Sequence, residues 1–217
     1  MGADLFTNLP GGDRVALGPA AFVLRGFALG EAAALLDAVT RLSRQAPFRH
    51  LVTPGGHTMS VSMTNAGRVG WVSDRRGYRY DRLDPLNGQP WPAIPPILLA
   101  LAQRAAGAAG FGSYRPDACL INRYAPGTRL TLHQDRDEED AVAPIVSVSL
   151  GMDATFLFGG FQRGERPARI GLGHGDVAVW GGVDRMRFHG VLPVRDAPHP
   201  LVGPWRINLT FRKVFAG

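Results

Sequence analysis

Short stretches of alternating apolar and polar residues dominate the second half of the chain. From residue 117 onward there are about eight of them, separated by Gly, Pro or Asp, as in turn-rich β proteins. They lie at 118–124, 129–133, 145–150, 154–158, 168–172, 176–180, 187–194 and 206–214. No long helical pattern interrupts them, which argues against a parallel sheet with crossover helices. The pattern predicts a barrel or a jelly roll of two antiparallel sheets.

Two helices are predicted in the first half of the chain. Residues 30–45 place Ala, Leu and Val at helical spacing and stop before Pro47. Residues 95–109 show a second apolar face, with proline in the first turn and Gly110 after the end. Residues 48–92 hold Gly-rich turns and aromatic residues without strong periodicity, and we interpret them as hairpins and loops packed over the β core, forming a lid. The predicted fold class is mainly β (α+β).

Composition and charge narrow the functional classes. The 217 residues predict one domain, and 45% hydrophobic with 19% charged residues is a globular composition. The net charge is +6, and only Lys213 among the 24 basic residues is not arginine. Arginine grips phosphate and carboxylate groups in a planar fork, so a polyanionic partner such as nucleic acid fits. A general bias towards arginine explains the same numbers equally well.

The sequence also bears on the cellular compartment. Cys119 is the only cysteine, which excludes a disulfide framework and a cysteine-based zinc site. No apolar run approaches the roughly 18 residues that a membrane span needs. The first residues, MGADLFTNLPGGDR, lack the basic and apolar regions of a secretory signal. We therefore expect a cytoplasmic protein without a membrane anchor.

A histidine and a carboxylate two residues apart, His133 and Asp135, point to the same side of an extended chain and could bind one metal ion together. A later predicted strand carries His189, and two histidines with one carboxylate leave positions open on Fe(II) for substrate and O2. The spacing alone leaves a surface turn equally open, because His133 begins the acidic run HQDRDEED. His174 and Asp176 have the same spacing, and we interpret that pair as a turn before a buried strand.

The last predicted strand separates polar from apolar side chains. One face carries Ile207, Leu209 and Phe211, and the other carries Arg206, Asn208, Thr210 and Arg212. Such alternation most often marks a strand with one face in water. Two arginines and an amide on one face could also hold a small dicarboxylate such as 2-oxoglutarate, which would supply the electrons that Fe(II) needs to split O2. In strand 118–124, Asn122 and Tyr124 similarly share a face, opposite Ile121.

Taken together, these motifs resemble the AlkB family, Fe(II)/2-oxoglutarate dioxygenases that remove alkyl groups from nucleic-acid bases. The similarity also includes residues 53–56, 59–65, 116–118 and 174–182, and it spans nearly the whole chain. It implies a double-stranded β-helix (jelly roll) with two flanking N-terminal helices and a nucleotide-recognition lid at about 48–92. Residues 1–217 would form a single dioxygenase domain, with an N-terminal extension at 1–115 and a jelly-roll catalytic core at 116–217. In the family pattern, His174 and Asp176 belong to a structural turn.

The resemblance assigns the iron and cosubstrate sites. The residues implied to bind Fe(II) are His133, Asp135 and His189. Arg206 would pair with the distal carboxylate of 2-oxoglutarate, helped by Tyr124, and Arg212 would lie near the iron-chelating end and count as catalytic. The residues implied in cosubstrate binding are Asn122, Arg123, Tyr124, Arg206, Ile207, Asn208, Leu209, Thr210, Phe211 and Arg212.

The resemblance also assigns substrate contacts. Trp71 and His133 would hold the target base between them, and Asp137 would lie beside its exocyclic amine. The residues implied to contact the nucleic-acid backbone are Tyr78, Arg79, Tyr80 and Arg163. Ordinary structural alternatives remain at the level of sequence: a core position for Trp71, an exposed strand for the tyrosines, and a surface loop for Arg163 and Asp137.

The activity implied is oxidative demethylation of 1-methyladenine and 3-methylcytosine. Fe(II), 2-oxoglutarate and O2 would be consumed, with release of succinate, CO2 and formaldehyde, and a monomer would act on single-stranded DNA and RNA. One alternative is a jelly-roll dioxygenase acting on a small molecule or protein, which the +6 charge and the Trp71/Tyr78 set disfavour. A second is a non-enzymatic nucleic-acid binder, which the intact metal triad disfavours.

Overall fold

The computed structural model describes residues 13–216, so the predicted absence of a secretory signal falls partly on residues 1–12, outside the described part. All eight strands predicted after residue 117 are present, and six more precede them in the described residues. The strands are β1 (Arg14–Gly18), β2 (Ala21–Leu24), β3 (Arg49–Val52), β4 (Thr58–Gly67), β5 (Gly70–Asp74), β6 (Gly77–Asp81), β7 (Ala118–Tyr124), β8 (Leu130–His133), β9 (Ile145–Gly151), β10 (Ala154–Phe158), β11 (Ala168–Leu172), β12 (Val177–Trp180), β13 (His189–Val191) and β14 (Arg206–Arg212).

Two antiparallel sheets and a separate hairpin make up the β structure. The large sheet has the order β1-β2-β12-β9-β14-β7-β4-β3, and the small sheet has the order β11-β10-β13-β8. Side chains from both sheets share one apolar cluster, which includes Ile145 and Trp180 of the large sheet and Phe156 and Val191 of the small one. The strands β5 and β6 pair only with each other. The predicted jelly-roll fold is confirmed.

The two helices cover the outer face of the large sheet. They are α1 (Ala32–Gln45) and α2 (Pro96–Ala108), and both ends of α2 lie where proline and Gly110 predicted them. Their buried leucines join a second apolar cluster with the side chains of β14 that point away from the small sheet. Because that face of β14 is covered by helices, its polar face is directed into the space between the sheets. The alternative of a water-exposed polar face is therefore wrong, since every residue of β14 is buried.

The region 48–92 differs from its prediction. It forms hairpins, but β3 and β4 extend the large sheet beside β7 instead of packing over it. The burial of β4 is not evident from its sequence, because Ser62, Thr64 and Asn65 are polar. In the structure these side chains are buried and form hydrogen bonds with nearby backbone groups. Strands from both sides of residue 115 therefore pair in one sheet. The hairpin β1–β2 was not predicted at all. Within residues 13–216, no helix has the length and apolar character needed to cross a membrane.

Candidate metal and cosubstrate site

Two strands of the small sheet bring the predicted metal ligands together. His133 ends β8 and is the direct cross-strand partner of His189, which begins β13. Asp135 follows two residues after the end of β8. The neighbouring residue Gly190 permits the close approach, because a Cβ atom there would lie 2.7 Å from the carbonyl oxygen of Leu130.

These three side chains, which we call the iron triad, converge in geometry that suits a divalent metal. Their ligand atoms all lie within 4.8 Å of one another, and Asp135 lies 3.6 Å from His133 Nε2 and 3.7 Å from His189 Nε2. The Nδ1 atom of His133 lies 2.9 Å from the Thr131 carbonyl, and that of His189 lies 3.0 Å from the Arg187 carbonyl. A carbonyl only accepts, so each Nδ1 carries the proton and each Nε2 lone pair is free for a metal.

The electrostatics keep these ligands in their metal-binding protonation states. Burial alone would raise the pKa of Asp135, but the guanidinium of Arg212, 2.9 Å away, and the two imidazoles hold it well below its usual range. Burial, together with the neighbouring His133, lowers the pKa of His189 to about 3. Asp135 is therefore a carboxylate and His189 a neutral imidazole near neutral pH.

The second histidine–aspartate pair is structural, as predicted. His174 Nδ1 accepts the backbone N–H of Gly151 at 2.9 Å, and its ring stacks on His199. Asp176 accepts the backbone N–H groups of Gly26 and Gly173 and pairs with Arg25. These bonds occupy the Nδ1 lone pair of His174 and both carboxylate oxygens of Asp176, through which the pair would bind a metal.

A buried guanidinium with unused donors lies in the same cavity. Arg206 is 1% exposed, and its Nη2 donates to the hydroxyl of Ser149 at 3.0 Å. Among residues 13–216, its Nε and Nη1 find no hydrogen-bond partner. Its guanidinium lies 4.8 Å from the centre of the Tyr124 ring. Burying unpaired donors is costly, so this arrangement is best explained by an anion that completes it.

The amide and hydroxyl groups beside Arg206 support the same pocket. Asn208 donates to the hydroxyl of Ser147 at 2.8 Å and accepts from Thr210 at 2.9 Å. Asn122 donates to Asn208 at 3.3 Å, while its own carbonyl oxygen has no partner in the described part of the chain. The structure thus brings Asn122, Tyr124, Arg206, Asn208, Thr210 and Arg212 to the wall of one cavity of about 570 Å³.

Four residues predicted to bind the cosubstrate lie elsewhere. Arg123 points to the opposite face of β7, where its guanidinium lies over Phe48 and Trp205 and donates to Ser62. Ile207, Leu209 and Phe211 pack into the cluster beneath the helices. These four side chains point away from the cavity, because successive residues of a strand point to opposite faces of the sheet.

Part of the predicted substrate set also lines the cavity, beside the iron triad. These residues are Trp71, Tyr78, Asp137 and Arg163. The rings of Trp71 and Tyr78 stack with centroids 5.5 Å apart and planes at 13°, and the indole N–H of Trp71 donates to Asp137 at 2.9 Å. Met59, Val61 and Met63 of β4 also line the cavity, which the sequence left unassigned.

Two members of the substrate set are engaged elsewhere. Arg79 pairs with Asp74 through two nitrogens, at 3.0 and 3.1 Å, on the other face of the hairpin. The hydroxyl of Tyr80 donates to Glu138 at 2.5 Å, and neither side chain lines the cavity. Burial raises the pKa of Tyr80 well above its usual value, as expected of a hydroxyl held inside the protein.

Some residues of the site were missed by sequence reasoning. Ser147 and Ser149 are polar residues at alternate positions of an otherwise apolar strand, which is a usable signal. Glu138 is buried within the acidic run after His133, and Arg185 is buried beside it. Nothing in the local sequence distinguishes these two from solvated charges.

Comparison with known proteins agrees with this geometry. The model of the 2OG-Fe(II) oxygenase superfamily matches residues 20–212. The chain is 55% identical to the alpha-ketoglutarate-dependent dioxygenase AlkB of Salmonella typhimurium over 91% of both chains. It is 52% identical to the enzyme of that name from Escherichia coli over 97% of both. The chain belongs to the AlkB family.

A solved structure extends the AlkB-family assignment to the fold. The structure of OsALKBH1 aligns with a TM-score of 0.82 and 27% identity, covering 93% of this chain and all of that one. The resemblance stated from the motifs is thus confirmed, as are the enzyme class and the cofactors. The iron triad fits Fe(II), and the unpaired donors of Arg206 fit the distal carboxylate of 2-oxoglutarate.

Proposed function

We propose that this protein is an oxidative demethylase of N-alkylated nucleic-acid bases, with 1-methyladenine and 3-methylcytosine as substrates. One observation carries the proposal: the iron triad, the unpaired guanidinium donors of Arg206 and the half-buried aromatic face of Trp71 all line a single cavity. Metal, cosubstrate and a flat organic ring can therefore occupy it together.

The iron triad would hold Fe(II) by three ligands, which would leave room for 2-oxoglutarate and O2. Fe(II), when bound there, would supply the activation of O2, with 2-oxoglutarate as the two-electron reductant that leaves as succinate and CO2 while the methyl carbon is hydroxylated. Arg206 holds the distal carboxylate through its two free donors. Arg212 keeps Asp135 ionised and oriented through its contact of 2.9 Å. The hydroxylated methyl group then leaves the base nitrogen as formaldehyde.

The cavity wall supports a base taken out of its stack. Tyr78 covers one face of the Trp71 indole, which leaves the opposite face for a base to stack on. Asp137 is held at the rim by the Trp71 N–H and presents its charge to the exocyclic amine of a cationic methylated base. Arg163 also lines the rim and contacts the phosphate backbone without selecting sequence.

Single-stranded DNA and RNA are the proposed substrates. Extruding a base costs a few kcal/mol in a duplex and less in a single strand. The net charge of +6 supports attraction to either polyanion. We also propose one dioxygenase domain that acts as a monomer in the cytoplasm, where a free, buried Cys119 suits a reducing environment.

The decisive experiment is incubation with oligonucleotides that carry one 1-methyladenine or 3-methylcytosine. Formaldehyde and succinate are expected in equal amounts, and only when Fe(II), 2-oxoglutarate and O2 are all present. The His189→Ala variant serves as the metal-site control. Succinate formation that no methylated oligonucleotide stimulates would point to the alternative, a dioxygenase acting on a small molecule or protein.

A further inference from the structure

A buried carboxylate joins the hairpin β5–β6 to the metal centre. Glu138 follows Asp135 by three residues, and its side chain is 3% exposed. Its Oε1 accepts the hydroxyl of Tyr80 at 2.5 Å and lies 3.4 Å from Arg212 Nε. Its Oε2 accepts Arg185 Nη2 at 3.0 Å. We call these four residues the Glu138 junction.

The junction is anchored to the backbone of a metal ligand. Arg185, also fully buried, donates from Nη1 to the carbonyl oxygen of Asp135 at 2.8 Å. Its Nε donates to the carbonyl oxygen of Ala143 at 3.1 Å. Arg212 completes the connection, because it contacts the carboxylates of both Glu138 and Asp135. One set of charge-assisted bonds thus fixes the main chain and the side chain of Asp135.

The same junction fixes the hairpin that supports the target base. Tyr80 on β6 is the direct cross-strand partner of Trp71 on β5. Trp71 in turn donates to Asp137, the residue immediately before Glu138. Two paired residues of the hairpin therefore hold two consecutive residues of the segment that carries Asp135.

We propose that Glu138 is a positioning residue that couples the hairpin to the metal centre, so that loading metal and cosubstrate orders the hairpin and a bound base favours the loaded centre. The second half of this statement rests on the proposed function. Glu138 does not line the cavity, and it acts through Tyr80 and Arg212. The coupling must be equal in both directions, because it is a difference in binding free energy.

The physical basis is competition for Arg212. Tyr80 and Arg185 together satisfy much of the charge of Glu138, which leaves Arg212 closer to Asp135, at 2.9 Å, than to Glu138, at 3.4 Å. Removing the Tyr80 hydroxyl leaves one Glu138 oxygen to Arg212 alone, so Arg212 is drawn away from Asp135. Replacing Glu138 by glutamine removes the charge that holds Tyr80 and Arg185 in place.

Hydrogen exchange of residues 70–81 tests the coupling without any turnover. Redox-inert Mn(II) with 2-oxoglutarate is expected to slow exchange of the hairpin in the parent protein. In Tyr80→Phe and Glu138→Gln this added protection is expected to be lost. Tyr114→Phe is the matched control, since it removes another buried tyrosine hydroxyl, one that has no partner. In Tyr114→Phe, Mn(II) with 2-oxoglutarate is expected to slow hairpin exchange as much as in the parent.

Two further measurements complete the experiment. In the parent protein, Mn(II) with 2-oxoglutarate is expected to increase the affinity for a methylated oligonucleotide about fivefold or more, which is the lower end of the usual range for coupling between two binding sites. In Tyr80→Phe this increase in affinity is expected to fall towards a factor of one. The visible spectrum of the Co(II)-loaded protein is expected to change in Glu138→Gln but not in Tyr114→Phe. If Glu138→Gln does not fold, Tyr80→Phe still decides the matter.

The proposal is overturned if Mn(II) and 2-oxoglutarate leave hairpin exchange unchanged in the parent, or protect it equally in parent and Tyr80→Phe. These outcomes are separate from the fate of the proposed function. If the parent protein does not demethylate oligonucleotides, only the coupling to a bound base is lost from the proposal. The coupling between hairpin and metal centre is still tested, because hairpin exchange and the Co(II) spectrum require no nucleic acid.

Discussion

Replacing Arg206 by methionine is expected to abolish tight binding of 2-oxoglutarate while leaving the fold intact. The guanidinium is buried, and within the residues that the structure describes only its Nη2 has a hydrogen-bond partner, the hydroxyl of Ser149. Its Nε and Nη1 remain as donors, so the planar guanidinium can form charge-assisted hydrogen bonds with the distal carboxylate. Methionine keeps the length and apolar stem of the side chain but has no donor.

The expected magnitude follows from these contacts. Removing one partner of a buried, hydrogen-bonded charge pair costs about 2–5 kcal/mol. At roughly 1.4 kcal/mol per factor of ten, the dissociation constant for 2-oxoglutarate rises about 30-fold to several thousandfold. Lysine at position 206 restores the charge but not the fork, so Arg206→Lys is expected to recover only part of the loss.

The ligand-free protein is expected to respond in the opposite direction. Two unpartnered donors on a buried cation cost stability, about 1–3 kcal/mol for each unsatisfied group. Arg206→Met should therefore unfold at the same temperature as the parent or higher when 2-oxoglutarate is absent. With Mn(II) and 2-oxoglutarate at about 100 times the parent dissociation constant, the parent gains about 2.7 kcal/mol, whereas the variant gains from about 0.9 kcal/mol, for a roughly 30-fold loss of affinity, down to almost none.

Isothermal titration of the Mn(II)-loaded proteins with 2-oxoglutarate measures the effect directly. The matched control is Arg123→Met, an arginine on the neighbouring strand β7 whose side chain points to the other face of the sheet. It is expected to bind 2-oxoglutarate as the parent does. Equal affinities of the parent and Arg206→Met for 2-oxoglutarate would refute the assignment of Arg206. A loss of affinity confined to Arg123→Met would instead show that Arg123 binds the cosubstrate, although its side chain lies outside the cavity.

Three further predictions concern metal, selectivity and strand binding. Alanine at any position of the iron triad should abolish both stoichiometric Fe(II) binding and formaldehyde release, whereas His174→Ala should retain both; metal analysis that shows the reverse would make the second pair the metal site. Asp137→Asn keeps an acceptor for the Trp71 N–H but removes the charge, so competition assays should show the preference for cationic 1-methyladenine over neutral 3-methylthymine falling about tenfold, the equivalent of 1.4 kcal/mol; an equal slowing of both at full iron occupancy would exclude Asp137 as the selector. The logarithm of the oligonucleotide binding constant should fall linearly with the logarithm of salt concentration, and Arg163→Ala should make this slope less steep by the amount that about one phosphate contact contributes. A salt-independent affinity would contradict the proposed phosphate contacts.

Local pattern determined much of this protein. Alternation predicted all eight strands after residue 117, because burial on one face of a strand repeats every two residues. Proline and glycine predicted the ends of α2, since they act on the backbone of the residues beside them. The spacing of His133 and Asp135 and the polar face of β14 are local features too, and with the family motifs they were enough to predict a 2-oxoglutarate-dependent iron site.

Only the tertiary structure decided which of these local possibilities are used. Arg123 and Arg206 both belong to family motifs, but the pairing of β7 with β14 and the helices beneath them leave only Arg206 facing the cavity. Two histidine–aspartate pairs have the same spacing, and the cross-strand position of His189 selects one of them. The bond from Tyr80 to Glu138 joins residues 58 positions apart. Spacing along the chain reports which face a side chain takes, whereas its partner is set by strand pairing and burial between distant segments, which no local pattern encodes.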